Sequence, residues 1–322
     1  MHYPVQRAHF KIKLFSNESE YDSYNEYSPQ QITGNKILKM KKLLSQLIAT
    51  LLMLSGCSSH PSYTSLNRVD NARNIANKAQ LSTHTISTKT FSFRTFSRLS
   101  GNTNTIRLYI EGDGLAWRNK HTPSSDPTPI NPLALKLAAM DPFANIIYLA
   151  RPCQYIQKTS SPDIKCKTKY WTSHRYSEEI ITSMNEALNH IKNKYNVKKF
   201  ELIGFSGGGT IAPLLAHKRN DIDNIRTIAG NLDHETLNNI HHVDQMPLSL
   251  NPVNIAATIA DIPQIHFIGG KDNVVPEKIV KSYFIHSGSE KCVKIYTQQN
   301  ASHHEGWLES WGELLKIKMP CK

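Results

Sequence analysis

The chain has 322 residues, 39% of them hydrophobic, and a formal net charge of +12. That length and apolar content allow a sizeable buried core, which sets aside fibrous and wholly disordered classes. Its Lys and Arg form no long run and do not interleave with aromatics, so the charge reads as a solvated basic surface and no nucleic-acid partner is expected.

Residues 1–39 are polar, rich in Asn, Ser and Tyr, and show neither helical nor strand periodicity. Export signals normally lie at the N-terminus, so Met40 is taken as the true start and 1–39 as a gene-model extension. Behind Met40 stand Lys41 and Lys42, an apolar stretch from Leu43 to Leu54, and the small residues Ser55 and Gly56 before Cys57. This order is that of an export signal over 40–56, and its apolar stretch is shorter than the roughly twenty residues a membrane span needs. Leu54-Ser55-Gly56-Cys57 resembles the bacterial lipobox. The resemblance implies that Cys57 is acylated with diacylglycerol and becomes the new N-terminus, anchoring the protein to a membrane. Ser58 in place of Asp implies the outer membrane, facing the periplasm. Without residues 1–56 the chain is still basic, at +9. Residues 57–66, rich in Ser, Pro and Thr, read as a tether, and 67–322 as one catalytic domain.

Within that domain Asn67–Gln80 is expected to form a short amphipathic helix and Thr85–Leu99 an edge hairpin. Strand and helix signals then alternate: strand 106–110, helix 132–139, strand 145–150, helix 177–195, strand 200–203, helix 210–217, strand 225–229, strand 264–268, helix 276–284, strand 293–297 and a closing helix 307–317. Ser177 is the expected cap of the longest helix, with Glu178 and Glu179 in its first turn. Residues 231–262 read as an irregular excursion. Such alternation predicts an α/β fold with a mostly parallel sheet and helices on both faces. Apart from Cys57, the cysteines fall into two local pairs, Cys153 with Cys166 and Cys292 with Cys321, which an oxidising compartment would bridge.

Gly204-Phe205-Ser206-Gly207-Gly208 fits G-x-S-x-G and lies between an expected strand and an expected helix. The chemistry needs a turn so tight that the serine hydroxyl stands clear of the backbone, which small residues two before and two after permit. A serine hydroxyl is a weak nucleophile without a base, and the base needs a carboxylate to orient it. Asp272 follows the strand 264–268, and Ala301-Ser302-His303-His304 follows the last strand, so the expected triad is Ser206, Asp272 and His303, with His304 the competing base. Glu111-Gly112-Asp113-Gly114 lies where an oxyanion loop belongs. Gly207 and either Asp113 or Gly114 are the expected N–H donors, with the Asp113 side chain as a competing acid. No cofactor is required, and His303-His304 lacks a third residue at metal-ligand spacing.

Glu111-Gly112-Asp113-Gly114, Pro123 to Leu133, Arg151-Pro152-Cys153-Gln154-Tyr155 and Gly204-Phe205-Ser206-Gly207-Gly208 together resemble the α/β-hydrolase-fold lipoproteins of Gram-negative bacteria, over roughly residues 67–318. The resemblance implies an α/β-hydrolase-type serine hydrolase. It departs from many lipases and esterases in carrying Glu-Gly-Asp-Gly where they carry His-Gly-Gly-Gly. The expected activity is that of a carboxylesterase-like acyl hydrolase on a small-molecule or lipid acyl substrate. An acyltransferase, a peptidase or a non-catalytic binding protein on the same fold are the alternatives.

Overall fold

The alternation of strands and helices is realised in a computed structural model that describes residues 65–156 and 166–321. The expected extension, the signal peptide, Cys57 and the tether as far as residue 64 lie outside the described residues. No helix among the described residues is long and apolar enough to cross a membrane.

Helix α1 (Ser65–Lys78) leads into the hairpin of β1 (Ser82–Ser87) and β2 (Ser92–Arg98). Then come β3 (Thr105–Ile110), a small hairpin of β4 (Trp117–Asn119) and β5 (Thr122–Pro123), α2 (Leu133–Met140) and β6 (Ile146–Leu149). A 3-10 turn (Thr168–Trp171), α3 (Glu178–Tyr195), β7 (Lys199–Phe205), α4 (Gly207–His217) and β8 (Ile222–Ile228) follow. The last third holds α5 (His234–His241), a 3-10 segment (Pro252–Ile259), β9 (Gln264–Gly269), α6 (Glu277–Ser287), β10 (Val293–Gln298) and α7 (Trp311–Lys316).

Eight strands form one sheet in the order β1-β2-β6-β3-β7-β8-β9-β10. The expected edge hairpin is antiparallel and joins β6 antiparallel, while β6 through β10 run parallel. The fold is therefore of the α/β-hydrolase type. Alternation along the central strands divides the core into two layers. Ile106, Leu108 and Ile110 of β3, with Phe200 and Leu202 of β7, face α3 and α4. Tyr109, Ile203 and Phe205 face α1, α2 and α7. Burying each such side chain contributes about 1.5–3 kcal/mol, which outweighs the weak propensities of the short strands.

Helix α3 buries Ile180, Met184, Leu188 and Ile191, whose spacing of three and four residues sets them on one face. Ser177 stands at its cap position, but its hydroxyl makes no cap bond and is buried without a partner. The entering chain is held instead by Tyr176 N–H on Ser249 Oγ (3.3 Å) and by Leu250 N–H on Tyr176 O (3.0 Å). The closing helix is shorter than expected because Trp307 folds back, its indole donating to Ser302 O (2.8 Å), so α7 begins only at Trp311. The excursion 231–262 is not irregular throughout, since Asp233 caps α5 through Thr236 N–H (3.2 Å) and Pro252 opens the 3-10 segment. Both cysteine pairs are bridged, with Cα atoms 5.6 Å apart in Cys153–Cys166 and 5.0 Å apart in Cys292–Cys321.

Candidate active site

Strand β7 ends at Phe205 and α4 begins at Gly207, which leaves Ser206 alone in the turn at φ 50°, ψ −114°. A non-glycine residue at such an angle costs about 1–3 kcal/mol and persists only where its surroundings enforce it. Here Ser206 N–H donates to Ile228 O (2.9 Å), and Ser206 O accepts from the N–H groups of Gly209 (2.9 Å) and Asn231 (3.1 Å). The turn is tight enough that a Cβ on Gly204 would lie 2.2 Å from Gly208 O, and one on Gly208 would lie 2.2 Å from Ile110 O. Both glycines are thus fixed by space, as the sequence pattern required.

The loop after β9 carries Asp272. Its Oδ1 accepts from the N–H groups of Val274 and Val275, each at 2.8 Å, and its Oδ2 lies 2.9 Å from His303 Nδ1. Because the backbone occupies one oxygen, the other is aimed at the imidazole. His303 Nε2 in turn lies 3.0 Å from Ser206 Oγ. With the ring proton on Nδ1 and donated to Asp272, Nε2 is left to accept the serine hydroxyl. His304 is exposed, touches the rings of Phe205 and His303, and hydrogen-bonds neither Ser206 nor Asp272. The structure therefore brings together Ser206, Asp272 and His303, and leaves His304 outside.

The loop after β3 approaches from the other side. Gly112 N–H is taken by Glu111 Oε1 (3.0 Å), whereas the N–H groups of Asp113, Gly114 and Gly207 meet no acceptor among the described residues. The Asp113 side chain does not face His303. Its carboxylate lies against Gly207, where an added Cβ would sit 2.1 Å from Oδ1, and it accepts from Arg151 (3.0 Å), Arg175 (3.2 Å) and the Tyr176 hydroxyl (2.8 Å). Burial pushes the Asp113 carboxyl up, but the Arg175 and Arg151 charges and the Tyr176 bond outweigh it, so the group lies below its usual range and stays ionised. This pairing sets aside the competing reading of Asp113 as the catalytic acid.

Glu111, Arg151, Gln154, Arg175 and Tyr176 shape the site, and sequence reasoning gave none of them a role. Gln154 Nε2 donates to Gly112 O (3.0 Å), bracing the loop, and Gln154 Oε1 accepts from Arg151 N–H (3.0 Å). Their signal lay inside the Arg151–Tyr155 motif; Arg175 and Tyr176 gave none. Glu111 is buried under the loop, with its other oxygen accepting from the Tyr148 hydroxyl (3.1 Å). Burial drives its carboxyl up to about 7, against hydrogen bonds from Gly112, Tyr148 and the backbone of Ala134 and Leu135 at the start of α2. Among the described residues no group of His, Cys, Asp and Glu is arranged to hold a metal ion.

Residues 136–306 match the family model of the FSH1 serine hydrolases. The chain belongs to the FSH1 serine hydrolase family. The matched span contains Ser206, Asp272 and His303 and excludes the loop of Glu111 to Gly114, so the family match and the geometry of that loop are separate observations. No protein of curated function matches this family member in sequence. Among solved structures it is similar to an esterase of Pyrococcus furiosus, at 13% identity and TM-score 0.54, over 74% of this chain and 92% of that one. It is also similar to the Pyrococcus horikoshii acylaminoacyl peptidase, at 11% identity and TM-score 0.50, over 75% of this chain and 42% of that longer one. An α/β serine hydrolase homologue from Coxiella burnetii is similar at 18% identity and TM-score 0.47, over 73% and 95%. At these identities the likeness is one of fold.

Proposed function

We propose that this serine hydrolase is an envelope-anchored esterase or related acyl hydrolase, with Ser206 as nucleophile, His303 as general base and Asp272 as its orienting acid. The observation that carries the reading is the continuous line from Asp272 Oδ2 through His303 to Ser206 Oγ, with steps of 2.9 and 3.0 Å. Ser206 Oγ attacks an acyl carbonyl while its proton passes to His303 Nε2. The carbonyl oxygen takes up the negative charge and faces the free N–H of Gly207 together with that of Asp113 or Gly114, at the positive end of α4. Collapse of the intermediate expels the alcohol with the proton from His303. Water, deprotonated by the same nitrogen, then releases the acid and restores Ser206.

The anchoring half of the reading is supported by Leu54-Ser55-Gly56-Cys57 behind its charged and apolar segments, with the outer membrane favoured by Ser58. The deciding experiment is fluorophosphonate labelling of the purified chain and of Ser206→Ala, followed by turnover of p-nitrophenyl esters, the matching anilides, and esters supplied with alcohol or amine acceptors. Labelling that depends on Ser206, with esters cleaved fastest into water, is the expected result. Faster anilide cleavage makes the protein a peptidase, and preferential transfer to an acceptor makes it an acyltransferase. Absence of Ser206-dependent labelling makes it a non-catalytic binding protein.

A further inference from the structure

Helix α1 runs against the parallel strands. It leads into β1, whose first residue Ser82 pairs with Ser97, and β2 ends at Arg98 opposite Ile146, the first residue of β6. The helix therefore finishes at the amino edge of the parallel strands, where Arg98 Nη1 donates to Ala79 O (3.2 Å). Its 14 residues, about 20 Å at helical rise, return its first turn to the carboxyl edge, where Ser206, Asp272 and His303 stand. Arg68 fastens that turn to the loop leaving β3. It donates to Asp126 Oδ2 (3.1 Å), to Asp126 O (3.2 Å) and to Thr128 O. The next residue inward, Pro127, accepts from Leu115 N–H (3.1 Å), immediately after Gly114.

Seven residues lie between Cys57 and Ser65. Eight Cα–Cα steps of at most about 3.5 Å limit the distance from Cys57 to Ser65 to about 28 Å. A chain this short, ending beside the pocket, cannot turn the opposite edge of a domain with a radius of gyration near 18 Å toward the surface that holds its lipid.

Six of the nine large hydrophobic side chains exposed among the described residues lie on the segments that leave the sheet at this same edge. Trp117 and Ile130 follow β3, Val243, Leu248 and Leu250 follow β8, and Val274 stands two residues past Asp272; Leu248 is 63% exposed and Val274 51%. His241 Nε2 bonds Val274 O (2.8 Å), joining the loops after β8 and β9, and Leu250 N–H donates to Tyr176 O (3.0 Å), whose hydroxyl donates to Asp113 in the loop after β3 (2.8 Å). Clustered apolar exposure of this kind marks a surface that contacts something. Exposed Arg118 and Lys120, beside Trp117 on this edge, suit anionic headgroups.

We propose that this carboxyl-edge face docks on the bilayer that holds the Cys57 lipid, so that Ser206 acts on acyl lipids drawn from that same membrane. The proposal rests on the hydrolase and lipoprotein readings above. Its test uses the full chain, processed in cells, purified and reconstituted in vesicles of phosphatidylethanolamine and phosphatidylglycerol that carry a fluorogenic phospholipid. A rigid helical insert of about twenty residues, roughly 30 Å long, placed between Ser59 and Ser65 should lower turnover of the bilayer substrate about tenfold or more, because the effective concentration of pocket at the surface falls. Turnover of a soluble short-chain ester should be unchanged, which also shows that the variant is folded. In the unmodified protein, brominated lipid should quench Trp117, a component absent from Trp117→Phe and lost with the insert. Equal bilayer turnover with and without the insert overturns the proposal, as does Trp117 covered by a second copy of the chain instead of lipid. Mass spectrometry showing Cys57 without lipid removes the anchor and the proposal with it. A chain without Ser206-dependent turnover of the soluble ester loses the hydrolase reading itself.

Discussion

At Ser206 the backbone stays in a conformation that favours glycine, so chemistry and strain can be separated by two substitutions at one position. Ser206→Ala is expected to abolish ester turnover with an unchanged melting temperature. Ser206→Gly is expected to abolish turnover and raise stability by about 1 kcal/mol in thermal melts, since it relieves the strain. His303→Ala and Asp272→Asn should each lower kcat/KM by roughly 10⁴-fold, while His304→Ala should cost less than about tenfold. A dead His304→Ala with an active His303→Ala would reverse the assignment of the base. Glu111 adds a pH signature. Its folded carboxyl titrates at about 7 and its unfolded one near 4.5, so the unfolded chain releases its proton first and stability falls as pH rises between those values. That loss is of the order of 3 kcal/mol and is complete above about pH 7. Glu111→Gln should flatten this part of the profile, as measured by urea unfolding at pH 5 and pH 8. The meeting of Ser206, Asp272 and His303 was legible because the expected triad needs each residue type at a strand end. Glu111 was not legible, since its role depends on burial under α2 that no local pattern announces.

Among the described residues β10 is the outermost strand on its side, pairing only with β9, and yet the loop after it delivers His303. The Cys292–Cys321 bond ties the residue before this strand to the segment after α7, closing a loop of 29 residues. On chain entropy that bond contributes about 3–4 kcal/mol. Cys292→Ala with Cys321→Ala is therefore expected to lower Tm by about 10 °C and to make ester turnover more heat-sensitive than the fold around β7. An unchanged melting curve would show that the terminal segment docks without the bond. Long amphipathic elements such as α3 were readable from spacing, and so were the cysteine pairs. Helix α5 was hidden because its start is fixed by tertiary contacts, with Asp233 also bound by Ser282 Oγ (2.6 Å) and Asn251 Nδ2 (3.1 Å). The hairpin of β4 and β5 spans too few residues for periodicity to register.

Across the whole molecule, the parallel sheet and its two helical layers followed from alternating periodicity, whereas the strand order required the packing of the finished core. Fractionation of cells expressing Cys57→Ala tests the anchoring reading: the variant is expected to leave the membrane fraction or to accumulate as precursor. Unchanged retention and mass would overturn it. The position of His303 has a further consequence, one of timing. The turn at Ser206 is complete once β8 has formed, but His303 follows only 97 residues later, in the loop after the edge strand β10. Under the proposed mechanism, a molecule ending before residue 303 carries the serine with no imidazole to take its proton. Such a truncated copy is expected to be silent toward esters, as a fluorogenic ester assay of the fragment would show.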